Sequence, residues 1–296
     1  MKYPFSKIII IYNPNSTGNS ELNARSLKSD VLKALPDVPV QIIATKRAGH
    51  AEKMAADYAQ KNEPILLISS SGDGGYNEVV NGVQRTPNSN VAICVLPSGN
   101  ANDHGMAISQ SSILGRIVAG KTTTIDLIRL SSIKDKEEFV RYAHSYVGFG
   151  LTAYIGKKLT ETKLNLINEK WLVVKYFLKF QYVTLRISPN KSWYRYSSVV
   201  IGNIDRMSKV IKLGTSTVVD DGKIELYVTR PYSSPSLVYK LIAASARGLQ
   251  PLRKGTKFTI TPKRTIDVQL DGEVSRLEAK QDISISVVKH AIRTLV

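Results

Sequence analysis

The chain has 296 residues, of which 43% are hydrophobic and 22% charged, and its formal net charge is +17. These values describe an ordered globular protein of one or two domains with length enough for a real core. A single cysteine, Cys94, excludes an internal disulfide or a cysteine metal cluster and suits a reducing compartment.

No apolar run approaches the ~20 residues of a membrane span, and Met1-Lys2-Tyr3-Pro4 leads into the first strand without a signal-peptide pattern. A cytoplasmic protein is expected. Residues 1–130 hold 13 Lys and Arg against 10 Asp and Glu, whereas residues 131–296 hold 28 against 14. The basic excess of the second part attracts nucleic acid or an anionic membrane. No zinc-finger spacing or RNP-type aromatic motif accompanies it, so the membrane is the expected partner and nucleic acid is not.

In chain order, Lys7–Tyr12 predicts a first strand, followed by Asn13-Pro14-Asn15-Ser16-Thr17-Gly18. Val40–Ala44 predicts a second strand ending at Thr45, and Gly49-His50-Ala51 opens a helix running to about Gln60, with His50 as a helix-opening residue rather than a catalyst. Pro64–Ile68 predicts a buried parallel strand that empties into Ser71-Gly72-Asp73-Gly74-Gly75-Tyr76-Asn77-Glu78, with a short helix over Val79, Val80 and Val83. A strand, glycine turn and helix in that order present backbone N–H groups at the positive end of a helix dipole, which is an anion site. Asp73 adds a carboxylate able to hold magnesium or its waters against phosphate. Val91–Val95 is a further strand, with Cys94 a small buried residue, and it precedes Pro97-Ser98-Gly99-Asn100-Ala101-Asn102-Asp103. Three small polar loops thus leave the carboxyl ends of parallel strands, where ligands of open α/β sheets bind.

The three loops resemble those of the diacylglycerol kinase catalytic domain, shared by bacterial lipid kinases, sphingosine kinases and ceramide kinases, which read NPxSG, GGDGTxNEVxNG and PxGTxND. The match falls on Asn13-Pro14, Gly72-Asp73-Gly74, Asn77-Glu78-Val79, Asn81-Gly82, Pro97, Gly99 and Asn102-Asp103. Ser71 stands at the family's first glycine, and Gly75 and Asn100 stand at its two threonines. The resemblance implies ATP and Mg2+ as cofactors. It implies nucleotide contacts at Asn13, Pro14, Thr45, Gly72, Asp73, Gly74, Gly75, Glu78, Ser98, Gly99 and Asn100, with Asp73 on the metal.

Gly115-Arg116-Ile117-Val118-Ala119-Gly120-Lys121-Thr122 satisfies the Walker A expression, but a P-loop needs a strand before it and a helix after it. Here Ile113, Leu114, Ile117 and Val118 form a helical stripe, Gly120 ends that helix, and Thr122–Ile125 begins a strand. The match is read as a helix stop. From about residue 130 the runs become β-rich, with turns at Asp220-Asp221-Gly222 and Asp271-Gly272-Glu273. Lys170–Phe180 mixes lysines with aromatics and reads as a buried helix, with an interfacial membrane helix as the competing reading.

The expected architecture is α/β in two domains. Residues 1–130 would form a three-layer α/β nucleotide-binding domain with a parallel sheet, and residues 131–288 a mainly antiparallel β-sandwich for the lipid. The resemblance implies that residues of about 289–296 return to the first domain. It also implies that the D-G-E turn lies across the cleft between the domains, where Asp271 accepts the substrate hydroxyl proton and Glu273 is a second carboxylate. A phosphoryl transfer asks for such an acceptor, although Asp-Gly is also a common hairpin turn. Asp220 and Asp221 match a segment near which some bacterial relatives bind magnesium, and a solvated turn is the equal alternative. The expected function is an ATP-dependent kinase acting on a hydroxyl of a diacylglycerol-like or sphingoid lipid at the membrane surface, with a homodimer open. The alternatives are an NAD kinase-like enzyme and a nucleotide- or lipid-binding protein without turnover.

Overall fold

Long β-branched runs and glycine-capped helices alternate through the first part of the chain, and the elements follow them. In the computed structural model the described residues are 3–16, 18–88, 90–99, 102, 104–105, 111–134, 136–161, 182–207, 211–213, 218–231 and 248–296. Asn100 and the segment Lys170–Phe180 lie outside them. The chain divides into two units. The first holds residues 1–127, 219–221 and 289–296, and the second holds residues 128–218 and 222–288.

The first unit begins β1 (Lys7–Tyr12), α1 (Ser20–Ala34), β2 (Val40–Ala44), α2 (His50–Ala59), β3 (Ile65–Ser71), α3 (Asp73–Arg85), β4 (Val91–Pro97), α4 (Ile113–Ala119). These strands are parallel in the order β2-β1-β3-β4. Both faces of such a sheet are covered, so its strands are apolar throughout rather than alternating. Ile8, Ile10, Leu66, Ile68, Ala92 and Cys94 share one buried cluster with Ala24, Leu27 and Val31 of α1 and Ile117 of α4. The intervening Ile9, Ile11, Leu67 and Ile93 are equally buried on the other face, where α2 and α3 pack against each other. Gly82 allows that helix crossing, because a Cβ there would run into the Glu52 carbonyl and Ala55. Burial pushes the Cys94 thiol up to about 11, consistent with a small core residue.

β5 (Thr122–Lys134) leads into β6 (Glu137–Ala143), β7 (Tyr146–Gly150), α5 (Leu151–Glu161), β8 (Val183–Ile187), β9 (Tyr194–Tyr196) and β10 (Ser198–Gly202). The short β11 (Arg206–Met207) and β12 (Ile211–Lys212) follow, then β13 (Ile224–Thr229), β14 (Arg253–Gly255) and β15 (Lys257–Pro262). The chain closes with β16 (Ile266–Leu270), β17 (Glu273–Leu277) and β18 (Ile283–Leu295). Within the second unit one antiparallel sheet runs β14-β13-β10-β7-β16-β17. A second layer joins β15 to β8, β9 and the first residues of β18, and pairs β5 with β6. Leu130, Phe149, Leu185, Ile201, Leu226, Ile260 and Ile285 meet in one core between the layers, as in a sandwich. The α/β class with a parallel first part and an antiparallel second part is borne out.

The last residues of β18 lie in the first unit, with Arg293 and Thr294 paired in parallel with Ala92 and Ile93. Residues 219–221 also belong to the first unit: the Asp126 N–H donates to the Val219 carbonyl at 2.7 Å, and the buried Asp126 carboxylate accepts the His290 N–H at 2.8 Å.

Candidate functional site

The parallel registers set the ends of three strands level. Tyr12 is opposite Ser70, and Ser71 is opposite Pro97, so the loops after β1, β3 and β4 leave from one edge. At that edge the apolar run of β3 gives way to Ser69-Ser70-Ser71, and β3 is three residues longer than its apolar run because the hydroxyls are satisfied within the edge. The Ser70 hydroxyl donates to the Ser20 carbonyl at 2.8 Å and lies 3.1 Å from the Ser98 hydroxyl. Asn23 Nδ2 donates to Ser98 Oγ at 2.9 Å and to the Gly18 carbonyl at 3.0 Å. The Ser98 carbonyl accepts the Gly18 N–H at 3.2 Å and the Ser16 hydroxyl, while the Ser98 N–H donates to the Ser71 carbonyl at 3.0 Å. Ser98 therefore ties the first and third loops to the end of β3.

The second loop is shorter than expected, because the glycine-rich stretch is itself the first turn of α3. Gly72 is the N-cap in extended conformation with no side-chain cap, and Asp73, Gly74 and Gly75 follow as the first helical residues. That turn carries the dipole's positive end behind backbone unshielded by side chains at three of its four residues. Gly72 and Gly99 meet backbone to backbone, since a Cβ on Gly99 would collide with Gly72. Asn102, at φ 53°, accepts the Gly99 N–H at 3.1 Å and donates to the Gly99 carbonyl at 2.6 Å, which fixes the third loop. Asp73 Oδ1 lies 3.4 Å from the His104 N–H, and the His104 ring lies 5.0 Å from that of Tyr76.

Of the residues expected at a nucleotide site, the structure brings Asn13, Pro14, Gly72, Asp73, Gly74, Gly75, Ser98 and Gly99 to this edge. Asn13 Oδ1 accepts the Asn15 N–H at 2.9 Å, and its carbonyl takes the Ser16 N–H and the Ser20 hydroxyl, so it shapes the first loop. Thr45 joins them through its N–H, which donates to the Tyr12 carbonyl at 2.8 Å. Glu78 is engaged elsewhere. Its Oε1 accepts the Gly49 N–H at 2.8 Å and its Oε2 the Ala51 N–H at 3.1 Å, so it caps α2, an anion at a helix N-terminus. His50 opens α2 as expected, with Nδ1 accepting the Lys46 N–H at 3.0 Å. Sequence reasoning passed over Asn23, Ser69 and Ser70, and three serines closing an apolar strand were the available signal.

The Walker-like stretch is a helix stop. Ser112 caps α4 by accepting the Gly115 N–H, Gly120 ends it at φ 63°, and β5 starts at Thr122. Lys121→Ala should leave Mg·ATP affinity within about twofold, because a true Walker lysine contacts the β/γ-phosphates and this one follows its helix rather than preceding it. Isothermal titration checks this, and a hundredfold loss would contradict the assignment.

In the second unit, Asp271 (φ 46°) and Gly272 (φ 98°) form the two-residue turn of the β16–β17 hairpin. Two successive positive φ values are the type I′ requirement that Asp-Gly meets. The Asp271 carboxylate is fully buried. Its Oδ1 accepts the N–H groups of Ser145 at 3.1 Å and Tyr146 at 2.8 Å, and its Oδ2 accepts the His144 N–H. His144 Nε2 lies 3.3 Å from Oδ2, and His144 Nδ1 is 2.7 Å from the Ser145 hydroxyl. Three backbone N–H donors thus pin the hairpin to the start of β7, with the His144 ring beside the carboxylate. Glu273, next to the turn, is exposed. Asp220 is exposed and Asp221 half-buried. No group of three or more His, Cys, Asp or Glu able to hold a metal occurs among the described residues.

With this edge in view the comparisons are specific. Residues 7–130 match the diacylglycerol kinase catalytic domain. The resemblance expected from the loops is thereby borne out. The chain is similar to a diacylglycerol kinase of Staphylococcus epidermidis, at 27% identity over 246 residues, 80% of this chain and 74% of that one. A diacylglycerol kinase of Staphylococcus saprophyticus is 25% identical over 281 residues, covering 89% and 88%. Among solved structures, a diacylglycerol kinase from Bacillus anthracis str. Sterne superposes with TM-score 0.72 at 18% identity over 100% and 98% of the two chains. Yeast NADH kinase superposes with TM-score 0.53 at 12% identity, over 98% and 83%. Both superpositions speak to the fold alone. Among the described residues no helix is long and apolar enough to cross a membrane.

Proposed function

We propose that this protein is an ATP-dependent lipid kinase that phosphorylates a hydroxyl of a diacylglycerol-like or sphingoid lipid. The observation that carries the proposal is the convergence of three loops on the uncapped, glycine-built N-terminus of α3, at the carboxyl edge of β1, β3 and β4. Backbone N–H groups at a helix start suit phosphate oxygens, and relatives named diacylglycerol kinase supply the lipid class.

The residues at the edge fit Mg·ATP. Asp73 is the carboxylate of the turn and half-buried rather than enclosed. Mg2+ takes one or two protein carboxylates and otherwise phosphates and water, so Asp73 is enough from the protein side. Bound there, the ion would neutralise charge on the transferring phosphoryl group. Gly72, Gly74, Gly75 and Gly99 would let backbone approach the phosphates, and Asn13, Pro14, Thr45 and Ser98 would border the nucleotide.

In the transfer the lipid oxygen bonds to the γ-phosphorus, the bond from that phosphorus to the β,γ-bridging oxygen breaks, and ADP leaves. The hydroxyl proton passes to a carboxylate of the Asp271–Glu273 turn. Asp271 is the proposed acceptor, which requires one of its donors to yield, with Glu273 as the second carboxylate. The basic second unit would meet the anionic membrane that holds the lipid, leaving the protein peripheral to it.

The test is incubation with radiolabelled ATP and extracted lipids resolved by mass, with NAD as a parallel acceptor. Label in a hydroxylated lipid supports the proposal. Label in NAD alone would assign the protein to the NAD kinase branch, and ATP binding without any product would make it a non-catalytic binder.

A further inference from the structure

The two residues of the glycine turn that depart from the family pattern, Ser71 and Gly75, lie against each other. A Cβ built on Gly75 would sit 2.6 Å from both Cβ and Oγ of Ser71, far inside the ~3.5 Å separation at which carbon atoms make contact. The Ser71 hydroxyl could rotate away, but its Cβ is fixed by the strand backbone. Gly75 does not have a positive φ, so no backbone requirement explains the missing side chain. The bare position 75 is the counterpart of the occupied position 71: the family pattern carries its side chain at 75 and none at 71, and this chain carries the reverse.

Ser71 is also a junction. Its hydroxyl donates to the Gly72 carbonyl at 3.0 Å and shares a hydrogen bond with the Ser69 hydroxyl at 2.7 Å. Its carbonyl accepts the Ser98 N–H, and the Gly72 carbonyl it holds also accepts the Tyr76 N–H at 3.1 Å, within the first turn of α3. The side chain is only 3% exposed, so it acts through this backbone rather than on a ligand.

We infer that Ser71 is a positioning residue for the phosphate turn, its side chain filling the space of a residue-75 side chain and its hydroxyl fixing where α3 begins. The inference rests on the reading of that turn as the nucleotide site. A side chain added at 75 should therefore harm rather than help, because in this chain that space is taken.

The test is a double-mutant cycle read by thermal midpoint and by Mg·ATP affinity. Gly75→Ala should lower the midpoint and weaken Mg·ATP binding about tenfold, through a forced shift of the turn. In the Ser71→Gly background the same Gly75→Ala change should raise the midpoint, because Ala is then simply the better helix former. Affinity in that double variant should match that of Ser71→Ala, about fivefold below wild type or roughly 1 kcal/mol, because both lack the hydroxyl and neither carries the clash. Ser71→Ala keeps the Cβ and removes the hydroxyl, so affinity should fall about fivefold, the scale of one hydrogen bond, with the midpoint lowered less than by Gly75→Ala. Gly75→Ala tolerated in the wild type, or equally harmful in both backgrounds, would overturn the inference. A wild type that does not bind Mg·ATP would overturn the nucleotide reading itself, and the positioning role with it.

Discussion

Asp271→Asn should destabilise the second unit by about 2–4 kcal/mol, the scale of breaking a buried, fully hydrogen-bonded carboxylate. The carboxylate accepts three hydrogen bonds, from the N–H groups of His144, Ser145 and Tyr146, and His144 Nε2 lies 3.3 Å from it. Asparagine offers one oxygen and turns an amide N–H₂ toward those donors, so at least one buried N–H loses its partner. Denaturant unfolding measures the loss. Glu273→Gln, at an exposed position, should stay within about 0.5 kcal/mol of wild type. If Asp271→Asn instead keeps its midpoint while lipid phosphorylation collapses, the residue is a proton acceptor first and a structural anchor second.

Asp73→Ala should reduce phosphoryl transfer about 100-fold, the scale of losing a group that orients a catalytic metal, while the unfolding free energy changes by less than about 1 kcal/mol. The residue is half-buried at the start of α3, and the core of that helix is made by Tyr76, Val79, Val80 and Val83. Initial rates over a range of Mg2+ concentrations should show the requirement for Mg2+ rising in the variant. Unchanged rates in a folded Asp73→Ala protein would remove this turn from the reaction.

Much of the first unit was legible because its strands are apolar runs ended by small polar residues. Lys7–Tyr12 and Val40–Ala44 were bounded correctly, and Val91–Val95 was short only by the Leu96-Pro97 that still pairs with β3. The Walker-like stretch was legible as a decoy because element order, not the motif, decides which end of a helix faces a ligand. Other features depend on which residues lie close in space, and spacing along the chain does not carry that. Glu78 reads as part of the glycine motif, yet its partners Gly49 and Ala51 lie 29 and 27 residues away on another helix. The joining of residues 219–221 to the first unit rests on the contact between Asp126 and Val219, for which no local pattern exists. Ser71 and Gly75 read as separate departures from a motif, and only the position of the missing Cβ makes them one exchange. The Asp-Gly turn was readable as a hairpin, but the burial of its carboxylate was not, since the donors come from residues 144–146.

The central claim is that ATP phosphates rest on the glycine-built start of α3 and the loop beside it. Protein labelled with ¹⁵N-glycine, titrated with Mg·ATP and followed by the amide resonances, tests this most directly. The resonances of Gly72, Gly74, Gly75 and Gly99 should shift and saturate together, while those of Gly115 and Gly120 stay in place. Saturating shifts confined to Gly115 and Gly120, or none at the four glycines of the edge, would contradict it.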